Sequence, residues 1–188
     1  MINLKPIVTS VALATVLGAC SQESDVVGTS AAVASQADSF SEFVAVLHST
    51  DGNDVEGVVM FSNTEEGVRV GAQVSGLGPM SSHGFHIHRF GDCRAADASS
   101  AGGHFSPDGM PHGAPDEERS HDGDLGNLIS NGAGVAQTNE VDPDLSFAGE
   151  DSILGRAVVI HASADDLESQ PSGDAGPRVA CGVIGVAS

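Results

Sequence analysis

Lysine is almost missing from this chain. Of 7 basic residues in 188, Lys5 is the only lysine; against them stand 26 acidic residues, for a formal net charge of −19. A surface of that sign repels phosphate, so no nucleic-acid partner is expected and anionic lipid headgroups are equally unsuited; a salty environment would suit it. Long apolar runs are lacking as well. The longest, Ile7 to Ala19, has thirteen apolar or small residues and falls short of the roughly 20 that cross a bilayer as a helix. Tryptophan and tyrosine are absent and cysteine occurs only 3 times. From Glu42 onward no stretch repeats its apolar residues at helical spacing, which excludes an α-helical domain.

The N-terminus has the form of an export signal: Lys5, then the apolar run, then a small residue before Cys20. Its LGAC tetrapeptide, Leu17 to Cys20, resembles the lipobox of bacterial lipoproteins, which implies acylation of Cys20 and a lipid anchor as the only membrane contact. Residues 1–19 are then the signal peptide, 20–40 the lipidated cysteine and a small, polar, flexible linker, and 41–188 one domain with no room for a second. The expected location is the periplasmic side of a bacterial envelope. Losing Lys5 takes the charge from −19 to −20, because no acidic residue precedes Glu23. In an oxidising compartment the remaining even pair, Cys93 and Cys181, reads as one disulfide and not as two separate buried thiols.

The domain is a series of short β-like runs: EFVAVLHS, VEGVVMF, GVRVGAQVSGL, GFHIHRF, GVAQTNEV, RAVVIHA and RVACGVIGVAS. Turn sequences separate them at Asp51–Asn53, Asn63–Gly67 and Asn131–Gly134. With 24 glycines, this predicts an all-β fold, a small antiparallel barrel or sandwich with tight turns. Two intervals do not read as strands, Gly91 to Asn127 and Ala162 to Pro177, and loops of that length in a compact domain are usually functional.

Histidine is concentrated around these loops. On a strand, His86 and His88 of GFHIHRF point to one face while Phe85, Ile87 and Arg89 take the other. Alone, such a pair is as consistent with two half-exposed strand histidines as with a chelate. The first long loop adds His104, His112, His121 and Asp124, and His161 ends the run RAVVIH within reach of the pair. Imidazoles with one carboxylate suit zinc, and four nitrogens in a near-planar array suit Cu(II). The count of groups therefore points to two metals, with one loop histidine serving both.

The motifs GFHIHRFGD, AGGHFSPDG, HGAP, HDGDLGN, GRAVVIHASADDL and GPRVACGVIG together resemble those of the copper/zinc superoxide dismutases, over about Glu42 to Ser188. The resemblance implies a Greek-key antiparallel β-barrel of about eight strands with two long functional loops. It makes His86, His88, His104 and His161 the copper ligands and His104, His112, His121 and Asp124 the zinc ligands, one ion of each per chain. Asp165, of ADDL, would link His86 to His112. Cys93 and Cys181 would form the disulfide, Arg178 would hold the anionic substrate beside copper, and Ser172 would stand where many relatives carry a channel threonine. His48 matches no ligand, and His83 resembles a structural histidine.

The activity so implied is dismutation: one superoxide gives up its electron to Cu(II) and leaves as O2, and a second takes that electron together with two protons and leaves as H2O2. His104 would carry a proton to the nascent peroxide. The alternative is a lipoprotein that binds copper and zinc without turnover. Three departures stand out. Cys93 directly follows Gly-Asp, as in many bacterial members. The loop before Arg178 contains no lysine. The ending GVIGVAS and the Phe90-Gly91 pair resemble the eukaryotic-type dimer contact, which implies a two-fold homodimer.

Overall fold

The computed structural model describes residues 40–187 apart from 116 and 118. The expected signal peptide, Cys20 and nearly all of the linker lie outside them. Eight strands follow in sequence: β1 Glu42–Ser49, β2 Glu56–Thr64, β3 Gly67–Ser75, β4 Ser82–His88, β5 Asp124–Ile129, β6 Ala136–Asp142, β7 Ala157–His161 and β8 Arg178–Val186. They form one antiparallel sheet in the order β5-β4-β7-β8-β1-β2-β3-β6. The crossings from β3 to β4 and from β6 to β7 give the Greek-key path. The sheet curls until its edge strands β5 and β6 meet at a single bridge, Ser130 to Ala136, so the barrel is nearly closed and few backbone groups are left unpaired.

Alternation along the strands builds the core. Phe43, Ala45 and Leu47 of β1 are buried while Val46 between them is exposed; Val68, Val70, Ala72 and Val74 of β3 continue the pattern. Phe43, Phe61, Phe85, Ile87 and Ile184 meet inside one cluster. A second, smaller cluster lies under the first long loop, where Ala98 and Ala101 pack on Ala157, Val159 and Cys181. Cys93 and Cys181 are joined there as a disulfide, which pins this loop to β8.

Two details differ from the sequence expectation. The first interval ends sooner, since Asp124 to Asn127 already belong to β5. The strand is hard to see because its buried positions are Asp124, Gly126 and Leu128, not an apolar row. Arg89 lies beyond the end of β4 and is exposed, while Phe85 and Ile87 do enter the core. The inward register of β6 is also unusual. Thr138, Glu140 and Asp142 stand opposite Ala72, Val70 and Val68, so the seam carries carboxylates where an apolar strand would close it. Burial, with the charge of Asp144 added, pushes the Asp142 carboxyl up to about 6.

Candidate metal centre

β4 is buried on both faces. Phe85 and Ile87 fill the barrel, and on the outer face the two long loops cover His86 and His88, which are 0% and 1% exposed. His104 is drawn beside His88 by an isolated antiparallel bridge. His161 ends β7, which pairs with β4 through Phe85–Ile160 and His86–Val159. One nitrogen of each ring is then held by a partner. His88 Nδ1 donates to the Gly102 carbonyl at 2.8 Å and His161 Nδ1 to the Gly176 carbonyl at 2.9 Å. His86 Nε2 lies 2.6 Å from Asp165 Oδ2, and His104 Nδ1 lies 2.6 Å from Asp124 Oδ1.

A carbonyl can only accept, so Nδ1 of His88 and of His161 carries the proton and Nε2 presents a lone pair. These two Nε2 atoms are 3.4 Å apart. His86 Nδ1 and His104 Nε2 are buried with no hydrogen-bond partner among the described residues. A buried polar atom left unpaired costs about 1–3 kcal/mol, and two of them, on residues whose ligand atoms fall in one cluster, fit a bound cation. One ligand atom from each of His86, His88, His104 and His161 falls within a span of 4.8 Å. Burial, helped by the neighbouring rings, pushes His161 down to about 3. Burial also takes His104 down to about 4 against the upward pull of Asp124, and holds His88 well below its ordinary value. At neutral pH these rings are neutral, the form in which imidazole binds a metal.

The second group shares His104. With His112, His121 and Asp124 it again places its ligand atoms within 4.8 Å of one another. His104 and His121 approach Asp124 Oδ1 through Nδ1, at 2.6 and 3.1 Å. His112 Nδ1 is 3.0 Å from Asp124 Oδ2 but not oriented to hydrogen-bond it, so both atoms are aimed at a third point. Burial would raise the Asp124 carboxyl, yet the contacts from His104 and His121 outweigh it and keep the group ionised. His104 thus turns one nitrogen to each group.

Asp165 lies behind both groups, with Oδ2 on His86 and Oδ1 2.9 Å from His112 Nε2. Burial works against its ionisation, and the contacts from His86, Leu167 and His112 prevail. The Asn127 side chain brackets the Asp165 backbone, accepting from its N–H at 2.8 Å and donating to its carbonyl at 2.9 Å. Gly173, at φ +65°, lies so close that a Cβ there would collide with Asp165 Oδ1 and His112 Nε2; only glycine fits.

Arg178 opens β8 at the rim of a cleft lined also by His88, His104, His121, His161 and Ser172. Its guanidinium donates to the carbonyls of Ala98 and Gly102, so Gly102 positions both Arg178 and His88. His83 donates to the backbone carbonyl of His161 at 2.8 Å, a structural contact as expected, and His48 is exposed on β1 away from the rings. Sequence reasoning brought together every histidine of the two groups but missed Asn127, Gly102 and Gln170. Asn127 stands inside HDGDLGN, where its place in the motif was the available signal, whereas a contributing carbonyl leaves no mark on a sequence.

A nearly closed Greek-key barrel carrying two adjoining histidine-rich groups with one histidine between them defines a two-metal β-barrel protein. The family model described as copper/zinc superoxide dismutase (SODC) matches residues 55–184, and the chain belongs to that family. The family binds copper and zinc, and the two buried groups supply the donors for both. A solved structure described as the clock protein EA4 is similar, with 38% identity, a TM-score of 0.72, and coverage of 79% of this chain and 96% of that one.

Proposed function

We propose that the protein is a superoxide dismutase. The observation that carries this is His104, which aims Nε2 at one set of donors and Nδ1 at the other within a cleft edged by Arg178. His86, His88, His104 and His161 offer four imidazole nitrogens and suit copper, while the group with the Asp124 carboxylate suits zinc. When bound, copper supplies one-electron redox chemistry and zinc supplies none. The chain's own residues do the rest. Gly102, Gly176 and Asp165 fix the orientation of the His88, His161 and His86 rings. His104 Nε2 is the buried atom from which a proton reaches the departing peroxide. Arg178 attracts and seats the anion, and Ser172 places its hydroxyl at the same cleft.

With no lysine in the second long loop, Arg178 is the cation in this cleft, set in a chain of net charge −19. Local steering changes association rates by roughly 10–10³-fold. Arg178→Ala should therefore lower kcat/KM by about tenfold or more without changing metal content. Added salt should slow the wild-type protein and barely affect the variant. A wild-type rate that rises with salt would mean that the global negative charge governs approach and that Arg178 does not.

For the homodimer, the support is a strip on the outer face of β8, β1 and β2. Val183, Val46, Val58 and Met60 are 44%, 50%, 40% and 40% exposed there, with Phe90 and Val186 exposed as well. An exposed apolar strip on so acidic a chain, with Glu56 at its edge, fits a second copy of the same surface. Gly91 adds nothing to this, because a Cβ there would overlap the Gly155 carbonyl of its own chain. Sedimentation at micromolar concentration should show a dimer, which Val46→Glu dissociates; a wild-type monomer removes the proposal.

A further inference from the structure

His112 lies in a stretch without regular structure between β4 and β5, so no strand ladder holds its backbone. Both of its peptide groups are nevertheless satisfied, and by one side chain. The His112 N–H donates to Gln170 Oε1 at 2.9 Å, and Gln170 Nε2 donates to the His112 carbonyl at 2.8 Å. Gln170 also donates to the Glu168 carbonyl at 3.2 Å, within the second long loop that carries Asp165. That loop therefore grips His112 twice. Asp165 takes the ring at Nε2 and Gln170 takes the backbone, while Gly173 lets the chain close over the contact.

Resting on the assignment of zinc to the second group, we propose that Gln170 is a positioning residue for that metal. It fixes the His112 main chain so that Nδ1 is presented to the ion, and it ties zinc retention to the order of a loop that contributes no zinc ligand. Only a primary amide of this length meets both backbone groups, because it is donor and acceptor at once. Alanine removes both bonds. Glutamate keeps the volume and the acceptor but turns a second oxygen against the His112 carbonyl, where a donor is needed. A residue that only filled space would tolerate glutamate, and one that positions by hydrogen bonding would not.

The test is the rate at which zinc passes from the copper- and zinc-loaded protein to a chromogenic chelator, compared with the visible spectrum of the cobalt-substituted zinc site. Partners that orient a metal ligand are typically worth about 10–100-fold in affinity. Gln170→Ala and Gln170→Glu should both release zinc faster by about that factor and alter the cobalt bands, with melting of the metal-free protein within a few degrees of wild type. His121→Ala, which removes a ligand, serves as the reference for a damaged site. Wild-type release rates and cobalt spectra in both Gln170 variants, alongside rapid release from His121→Ala, would overturn the role of Gln170 and leave the zinc assignment standing. Unchanged zinc binding in His121→Ala would overturn the assignment and the proposal with it.

Discussion

His161→Ala is expected to abolish superoxide dismutation while leaving the protein folded and one metal in place. The ring of His161 contributes Nε2, 3.4 Å from His88 Nε2, and its removal leaves three imidazoles where the first group has four. The effect should exceed the roughly 10–100-fold typical of losing a residue that merely supports a ligand, because a donor itself is gone. The fold should persist, since the contact that His83 makes is to the backbone carbonyl of His161 and not to its ring. The residues that hold the second group, Asp124 and Asp165, do not use the His161 ring. Metal analysis should accordingly show copper depleted and zinc retained, whereas His104→Ala, which removes a donor from both groups, should deplete both. Activity of His161→Ala within tenfold of wild type would place the reaction elsewhere.

Breaking the disulfide should produce the largest loss of stability. Cys93 and Cys181 are separated by 88 residues, and closing a loop of that length restricts the unfolded chain by about 4–5 kcal/mol in the chain-entropy model, with measured losses usually about 2–5 kcal/mol. The double variant Cys93→Ser, Cys181→Ser also puts a hydroxyl into the small cluster with Ala98, Ala101, Ala157 and Val159, which adds to the cost. Denaturant unfolding of the metal-free protein should therefore lose about 3–5 kcal/mol. Function should suffer too. The pinned loop supplies the Ala98 and Gly102 carbonyls that hold Arg178, and Gly102 also orients His88. A fall in kcat/KM at unchanged metal content would show this second effect. A stability loss below about 1 kcal/mol would mean that loop packing alone anchors the segment.

Much of the barrel is visible in the sequence because its strands alternate. Val68, Val70, Ala72 and Val74 alternating with Arg69, Gly71 and Gln73 mark a half-buried strand by their spacing alone, and β1, Glu42–Ser49, coincides with the apolar run EFVAVLHS. β5 is hidden for a physical reason: its buried positions are spent on the metal group at Asp124 and on Gly126, which removes the apolar period. The histidines were legible as types and spacings, and their sharing between two groups followed from counting donors. What holds them was not. Gly102 acts through a carbonyl, and Gln170 acts on a backbone 58 positions away. Neither relation exists until the loops are folded against each other.

The most direct test of the central claim is metal analysis of the purified protein together with a superoxide-decay assay on the same sample. The prediction is close to one copper and one zinc per chain, with rapid decay of superoxide that disappears when copper is removed and returns when it is restored. Protein that holds both metals and leaves superoxide to decay at its uncatalysed rate would contradict the dismutase reading and make the chain a metal-binding protein of the same fold.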